Sequence, residues 1–401
     1  MLASILLIAS TMVPGDSLPF PRLERAVSTI PAAVVLHRQP GLKVVSLRLS
    51  VLANDPPGYA GAGHMIQHLL YPSLKERAAR VGGQLQMQRT SDAIVYTLTG
   101  PASELRYMAQ LLTSTLSPAA APVDAILRAE RDLREERLAE WETAPSHARS
   151  TLRAQLFPAD ISAAGTDRSA TRLTASALPR IWADLYDPEN VSVVAAGDVY
   201  LQDVQEAFAD LPSRSGAAPL PISRDSVVLG SLAPAQATRG WIASAYLASD
   251  QPPAAVNVAV RLLGDRLRRI VPNAQVDAEH WWTHHGQAAA LIAAAPQPDL
   301  TGLRRAMGTV VAALLEDVSF LQVTDAAAAI RRELLFYSRT PARMTDVIGQ
   351  FVDREGDAEA LERFYNDLDD LDDRDVRAVL ERLIERTPAR IEIPPQTLRT
   401  R

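Results

Sequence analysis

Hydrophobic positions in the first half of the chain change period several times, and each change marks an element. Residues 32–36 and 43–52 alternate or run apolar as strands, and the Gln39-Pro-Gly41 turn between them predicts a hairpin. A helical stretch carrying two histidines follows. Alternation in Gly83-Gln-Leu-Gln-Met-Gln-Arg89 and the run 93–99 predict a second strand pair around a Thr90-Ser-Asp92 turn. Spacings of three and four then predict helices over 104–116, 123–141, 146–157 and 178–186, before an apolar strand at 190–198 and a helix from Leu201. The second half repeats this order, with strands at 240–247 and 288–295, helices at 254–269, 300–316 and 324–337, and a closing helical region at 346–385.

Strands grouped with helices that can cover them predict an α+β protein of two related sandwich domains. Each would be an antiparallel-rich sheet with helices on one face. The length of 401 residues accommodates two such cores. Pro212-Ser-Arg-Ser-Gly-Ala-Ala-Pro-Leu-Pro221 reads as the join, so the domains are expected at 26–211 and 227–395 with a linker at 212–226. Residues 1–25 begin with an apolar run that is too short to span a bilayer and has the length of a secretory leader, though no Lys or Arg precedes it. A leader at 1–20 would place the protein in the periplasm or outside the cell; otherwise it is cytoplasmic.

A formal net charge of −6 leaves no basic surface for a phosphate backbone and argues against nucleic acid as a partner. The chain has no cysteine, so disulfides and thiolate metal sites are excluded and any metal must sit on nitrogen and oxygen ligands. The acidic run within 353–385 reads as a solvated helix face.

Candidate chemistry concentrates in Gly61-Ala-Gly-His64-Met-Ile-Gln67-His68-Leu-Leu-Tyr71, which is the inverted zinc-protease pattern H-x-x-E-H with glutamine in place of glutamate. On a helix His64 and His68 share a face, as two metal ligands or as two imidazoles capping a cleft. Gln67 stands where a general base would act on a metal-bound water, and an amide cannot take that proton at neutral pH. A second group, His280-Trp-Trp-Thr-His284-His285, reads as packing rather than a metal site because Glu279 is the one carboxylate beside it.

With these landmarks the chain resembles the insulinase, pitrilysin and mitochondrial processing peptidase family of inverted zinc metallopeptidases. The resemblance rests on the 61–70 stretch, Gly82-Gly83, Glu130-Arg131, Tyr186-Asp-Pro-Glu-Asn190 leading to Ala196-Gly197-Asp198-Val199, and Leu262-Leu263-Gly264-Asp265-Arg266-Leu267. It implies metallohydrolase-like domains and a third zinc ligand on the long helix after the strand pair, seven residues beyond another glutamate. Counting from Glu130, to which the resemblance gives a supporting role behind the ligands, reaches Arg137. A different register offers Glu136 or Glu135, and since helix neighbours are about 100° apart only one of the three can face the histidines. Arg137 is the favoured register. The resemblance also implies a carbonyl-holding arginine and tyrosine in the second half, matched here by Arg269 and, where the tyrosine should be, Val276.

These matches imply a non-catalytic homologue with no catalytic residue and no required cofactor, zinc being weak or absent on His64 and His68. Half-length family members work in pairs, which implies a regulatory or substrate-holding subunit. Its partners would be an active, zinc-bearing homologue, as a heterodimer, and peptide or unfolded protein as substrate, with no membrane span. Two alternatives stay open: an active zinc metalloendopeptidase with a rebuilt site that uses Glu135 or Glu136 as base, and a purely structural assembly subunit.

Overall fold

The computed structural model describes residues 23–25, 34–52, 55–118, 121–157, 165–187, 190–211, 237–295, 300–356 and 359–395. Most of the 1–25 segment and all of the 212–226 linker lie outside them. The first half runs β1 (Glu24–Arg25), β2 (Val34–Arg38), β3 (Val44–Val51), α1 (Ala62–Ala79), β4 (Gln84–Arg89) and β5 (Ile94–Pro101). It continues through α2 (Leu105–Thr113), α3 (Val123–Glu142), α4 (Ala144–Leu156), α5 (Asp167–Ala170), α6 (Leu178–Leu185), β6 (Val191–Gly197) and α7 (Leu201–Ala207). The second half runs β7 (Trp241–Leu247), α8 (Pro253–Ile270), β8 (Gln275–Thr283), β9 (Gly286–Ala294), α9 (Thr301–Asp317) and α10 (Phe320–Tyr337). It closes with α11 (Pro341–Glu355), α12 (Glu359–Asp370), α13 (Asp373–Glu385) and β10 (Ala389–Ile393).

The strands form a six-stranded sheet in the order β1-β2-β6-β3-β5-β4 and a four-stranded sheet in the order β10-β7-β9-β8. The predicted hairpin between the first two apolar strands does not form. Every residue of β6 is buried, so this strand takes a central place, parallel to β2 and antiparallel to β3, and separates the two. The Pro40-Gly41 turn reverses the chain around its end, where the Asp198 carboxylate accepts from Gly41 N at 2.9 Å. The β4–β5 pair is a hairpin as expected.

The two halves match element by element. The series β3-α1-β4-β5-α2-α3-α4 corresponds to β7-α8-β8-β9-α9-α10-α11, and β6-β3-β5-β4 in one sheet corresponds to β10-β7-β9-β8 in the other. Each half's own helices cover one face of its sheet, and each half also lends a helix to the opposite face of the other's. Ala148, Leu152 and Phe157, in and just beyond α4, pack against Ala243, Ala290 and Ile292 of the second sheet. In return α11 crosses β3 and β6.

That second contact is polar at its centre. Arg48 of β3 is 1% exposed and donates to Asp353 of α11 through Nη2 at 2.6 Å and Nη1 at 3.2 Å, with Nη1 also reaching Ser50 Oγ. Ser46 Oγ meets Thr345 Oγ1 at 3.1 Å along the same seam. Gly349 has no side chain, and a Cβ there would overlap the Arg48 guanidinium. Among the described residues no single helix is long and apolar enough to cross a membrane.

A buried charge stripped of its partner costs about 3–5 kcal/mol, so Asp353→Ala is expected to lower unfolding stability by that amount. The double variant Arg48→Met/Asp353→Leu, which removes both charges, is expected to recover most of the loss in urea titrations. Equal destabilisation by the single and double variants would show that the ion pair is not what holds this seam.

Candidate metal centre

Two glycines and an aspartate set where α1 begins. Gly61 adopts φ 85°, a left-handed conformation that suits glycine, and the Asp55 carboxylate accepts from Gly61 N and Gly63 N at 2.8 Å each. A Cβ on Gly63 would meet Ile94 Cδ1, so its absence lets the two elements approach closely without displacing that side chain. The helix start is thereby pressed onto β5. Pro72 follows one turn after His68 and supplies no N–H to the His68 carbonyl.

His64 and His68 point the same way, with ring centroids 4.8 Å apart. Facing them across the groove is Glu136 of α3, with Oε2 3.2 Å from His64 Nε2 and Oε1 3.4 Å from His68 Nε2. The register favoured in the sequence therefore shifts by one residue. Arg137 lies about 100° further round α3, and it is Glu136 that reaches the imidazoles. Glu130, which shares a face with Arg137, is six positions from Glu136 and about 120° away around the axis, so it does not stand behind the ligand. The residue seven before Glu136 is Ala129, which is buried.

The ligand atoms of His64, His68 and Glu136 all lie within 4.8 Å of one another. Two atoms bound to one tetrahedral zinc at ordinary Zn–N and Zn–O lengths are about 3.3 Å apart, and the two His–Glu separations fall on either side of that value. His68 Nε2 is also buried without a well-formed hydrogen bond. The two His–Glu separations and the donor set fit a zinc ion on two imidazoles and one carboxylate, the ligand set of one class of catalytic zinc site.

Gln67 is 2% exposed, and its amide nitrogen donates to two backbone carbonyls, Gln88 O at 3.1 Å and Val95 O at 3.2 Å. The side chain clamps α1 to the β4–β5 hairpin. With His64, His68, Tyr71 and Glu136 it lines a cavity of about 500 Å³, bounded on the far side by Leu85 to Gln88 of β4. Among the described residues β4 is an edge strand of its sheet.

No protein-family model and no curated protein matches this sequence. Solved structures do match in three dimensions. A protease from Helicobacter pylori superposes with a TM-score of 0.78 at 16% identity, covering 94% of this chain and 100% of its own. An M16-like peptidase from Alicyclobacillus acidocaldarius gives 0.75 at 16%, over 95% and 100% of the two chains. A peptidase M16 inactive domain from Pseudomonas fluorescens gives 0.74 at 16%, over 94% and 98%. The chain has the M16 peptidase fold.

Within this M16 fold the second-half residues singled out in the sequence do not join the histidines. Arg269 is exposed at the end of α8 with its Nε 3.4 Å from Asp265 O, and Val276 is buried in the second core; neither lines the cavity over His64 and His68. His280 is half-buried against Gln287, whose amide oxygen lies 2.7 Å from its Nε2, and desolvation pushes its pKa down to about 4. His284 donates from Nδ1 to the Arg354 carbonyl at 2.9 Å, while its backbone N gives to Asp92 Oδ1 at 2.7 Å. These histidines pack and connect. The sequence reading passed over Asp55 and the two carbonyls held by Gln67; Asp55 shows as an acidic residue shortly before the G-x-G helix start, whereas the carbonyls leave no trace in side-chain identity.

Gln67→Glu would set a carboxylate against two carbonyl oxygens, which favours the protonated acid and raises its pKa. A raised folded-state value means that stability is retained in acid and lost as pH rises from the unfolded value through the folded one. Urea midpoints are expected to show Gln67→Glu about 2–4 kcal/mol weaker than the parent at pH 8 and close to it near pH 4; a variant as stable as the parent at pH 8 contradicts the clamp. For His280 the sign is the reverse. Its lowered folded-state value predicts a loss on the order of 3 kcal/mol as pH falls from about 6.5 to 4, absent above that window. His280→Gln should remove this part of the acid sensitivity, and an unchanged pH profile would contradict it.

Proposed function

We propose that this protein is a non-hydrolysing member of the M16 peptidases that holds a divalent metal such as zinc and binds extended peptide beside it, as the substrate-holding subunit of a pair with a catalytic homologue. The observation that carries the reading is Gln67. The base position holds an amide whose N–H groups are committed to Gln88 O and Val95 O, next to three residues that fit a zinc ion.

A zinc ion on His64, His68 and Glu136 would supply a Lewis acid able to polarise a peptide carbonyl. The chain's own groups supply binding and orientation. The edge strand β4, alternating exposed and half-buried residues, offers backbone donors and acceptors to an added strand. Gln67 cannot accept a proton from water, so general-base assistance is missing. In this reading Glu136 serves the imidazoles as a ligand rather than as a base, and Glu135 is exposed beside Arg131 at 4.0 Å. Pairing draws support from apolar side chains left exposed on the two matching helices, Leu127 and Leu138 on α3 and Phe320 and Phe336 on α10.

Metal analysis and zinc titration of the purified chain, combined with peptide-cleavage assays, test this reading. One zinc per chain is expected, weakened at least tenfold by Glu136→Gln and unaffected by Arg137→Gln. No cleavage is expected with zinc present. Chelator-sensitive turnover by the chain alone would overturn the non-hydrolysing assignment, and loss of zinc in Arg137→Gln but not Glu136→Gln would overturn the ligand set.

A further inference from the structure

The element correspondence between the halves also pairs two clefts. The first lies among α1, β4 and α3. Its counterpart, among α8, β8 and α10 with α11 and α12 closing it, has a volume of about 720 Å³, within the roughly 300–1,000 Å³ typical of ligand pockets. Glu136 and Glu333 are each the fourteenth residue of their helices. Where Glu136 meets two imidazoles, Glu333 meets the Arg261 guanidinium at 2.9 Å.

The interior of this second cleft is aromatic. Trp282 forms its floor, stacked on His280 at 5.8 Å and 16° and met edge-on by Phe351 at 5.1 Å and 88°, with Phe364 at 5.8 Å. Charges at the rim are closely paired, Arg261 with Glu333 and Arg268 with Asp265 at 2.8 Å. Arg354 differs. Its guanidinium sits 5.4 Å from the centre of the Trp282 ring with 22% of the side chain exposed. It donates to the neutral Gln350 Oε1 at 3.3 Å, and its carboxylate partner, Asp92, is 3.9 Å away. Burial holds this guanidinium below its ordinary pKa, against the opposing pull of the Asp92 and Asp353 carboxylates, and the nearby Arg153 and Arg48 add to the lowering. His280 is neutral at physiological pH, so three arginines against Asp265 and Glu333 leave the lining with one net positive charge.

We propose that the second cleft binds an apolar carboxylate, its aromatic or aliphatic body on Trp282 and its carboxylate on Arg354. A guanidinium with a long ion pair above an aromatic floor favours a planar anion that forms the close contact Asp92 does not. The ligand is either a free aromatic acid or the carboxyl terminus of a peptide that ends in a large apolar residue. The site stands apart from the metal ligands and does not depend on them.

Calorimetric titration of the full chain with 3-phenylpropanoate, N-acetyl-alanyl-phenylalanine and the C-terminal amide of that dipeptide tests the assignment. Both acids are expected to bind, the amide at least tenfold more weakly than the peptide acid, and Arg354→Gln should erase that preference. Tighter binding of the peptide acid than of 3-phenylpropanoate identifies a peptide terminus as the source, and the reverse a free acid. Leu334→Trp, which adds bulk to the cleft lining on α10, should abolish binding of both acids and serves where Arg354→Gln does not fold. Equal affinity for acid and amide, no heat from either acid, or undiminished binding in Leu334→Trp would overturn the proposal. His64→Ala/His68→Ala should bind the probes as the parent does, so failure of the metal site and failure of this one are read separately.

Discussion

The pairing of Arg48 with Asp353 is the constraint on which the rest of the molecule depends. It joins a central strand of the first sheet to a helix contributed by the second half, at a depth where neither charge meets water. Taking a guanidinium and a carboxylate out of water is unfavourable, and only a two-point contact with further hydrogen bonds makes it tolerable. Ser50 and Ser192 provide those around the pair, and Gly349 gives the guanidinium its space. The polar character of the seam specifies one docking register, since sliding α11 by a turn would leave both charges buried and unpaired. With α4 placed reciprocally on the second sheet, neither half can be arranged without the other.

The same coupling reaches the metal-ligand groove. Gln67 holds the β4–β5 hairpin through two carbonyls, and the turn of that hairpin, at Asp92, is bonded to His284 and faces Arg354 of the second half. Glutamine is thus a structural choice as well as a chemical loss. An ionised glutamate could not make the same two contacts, because it has no N–H to give. The amide keeps the hairpin in place and brings no proton acceptor to the groove.

Much of the architecture was legible in the sequence because long amphipathic helices and uniformly apolar strands carry strong periodic signals. The repeat order of the two halves, the β4–β5 hairpin and the histidine-bearing helix all followed from such patterns. Pairing order did not. Nothing local in 34–51 shows that a strand from 191–197 will enter between its two runs; only the complete burial of that strand explains it. β8 has no counterpart among the predicted strands, because its charged and aromatic residues face α4 on one side and the second cleft on the other, which masks alternation. In the site, spacing identified His64, Gln67 and His68 but missed the helix register of α3 by one. Counting from Glu130 assumed that this residue marked the ligand face, whereas buried Ala129 does.

The fourteenth residue of α3 and of α10 is a glutamate facing the leading helix of its own repeat, and the two junctions differ in where their positive charge comes from. Arg261 carries a permanent cation, so the α8–α10 contact keeps its charge across the physiological range. His64 and His68 carry charge only through a proton or a metal. The one fold therefore closes its first repeat's junction with imidazoles and its second repeat's with a permanent guanidinium, and the edge strand β4 lies against the former.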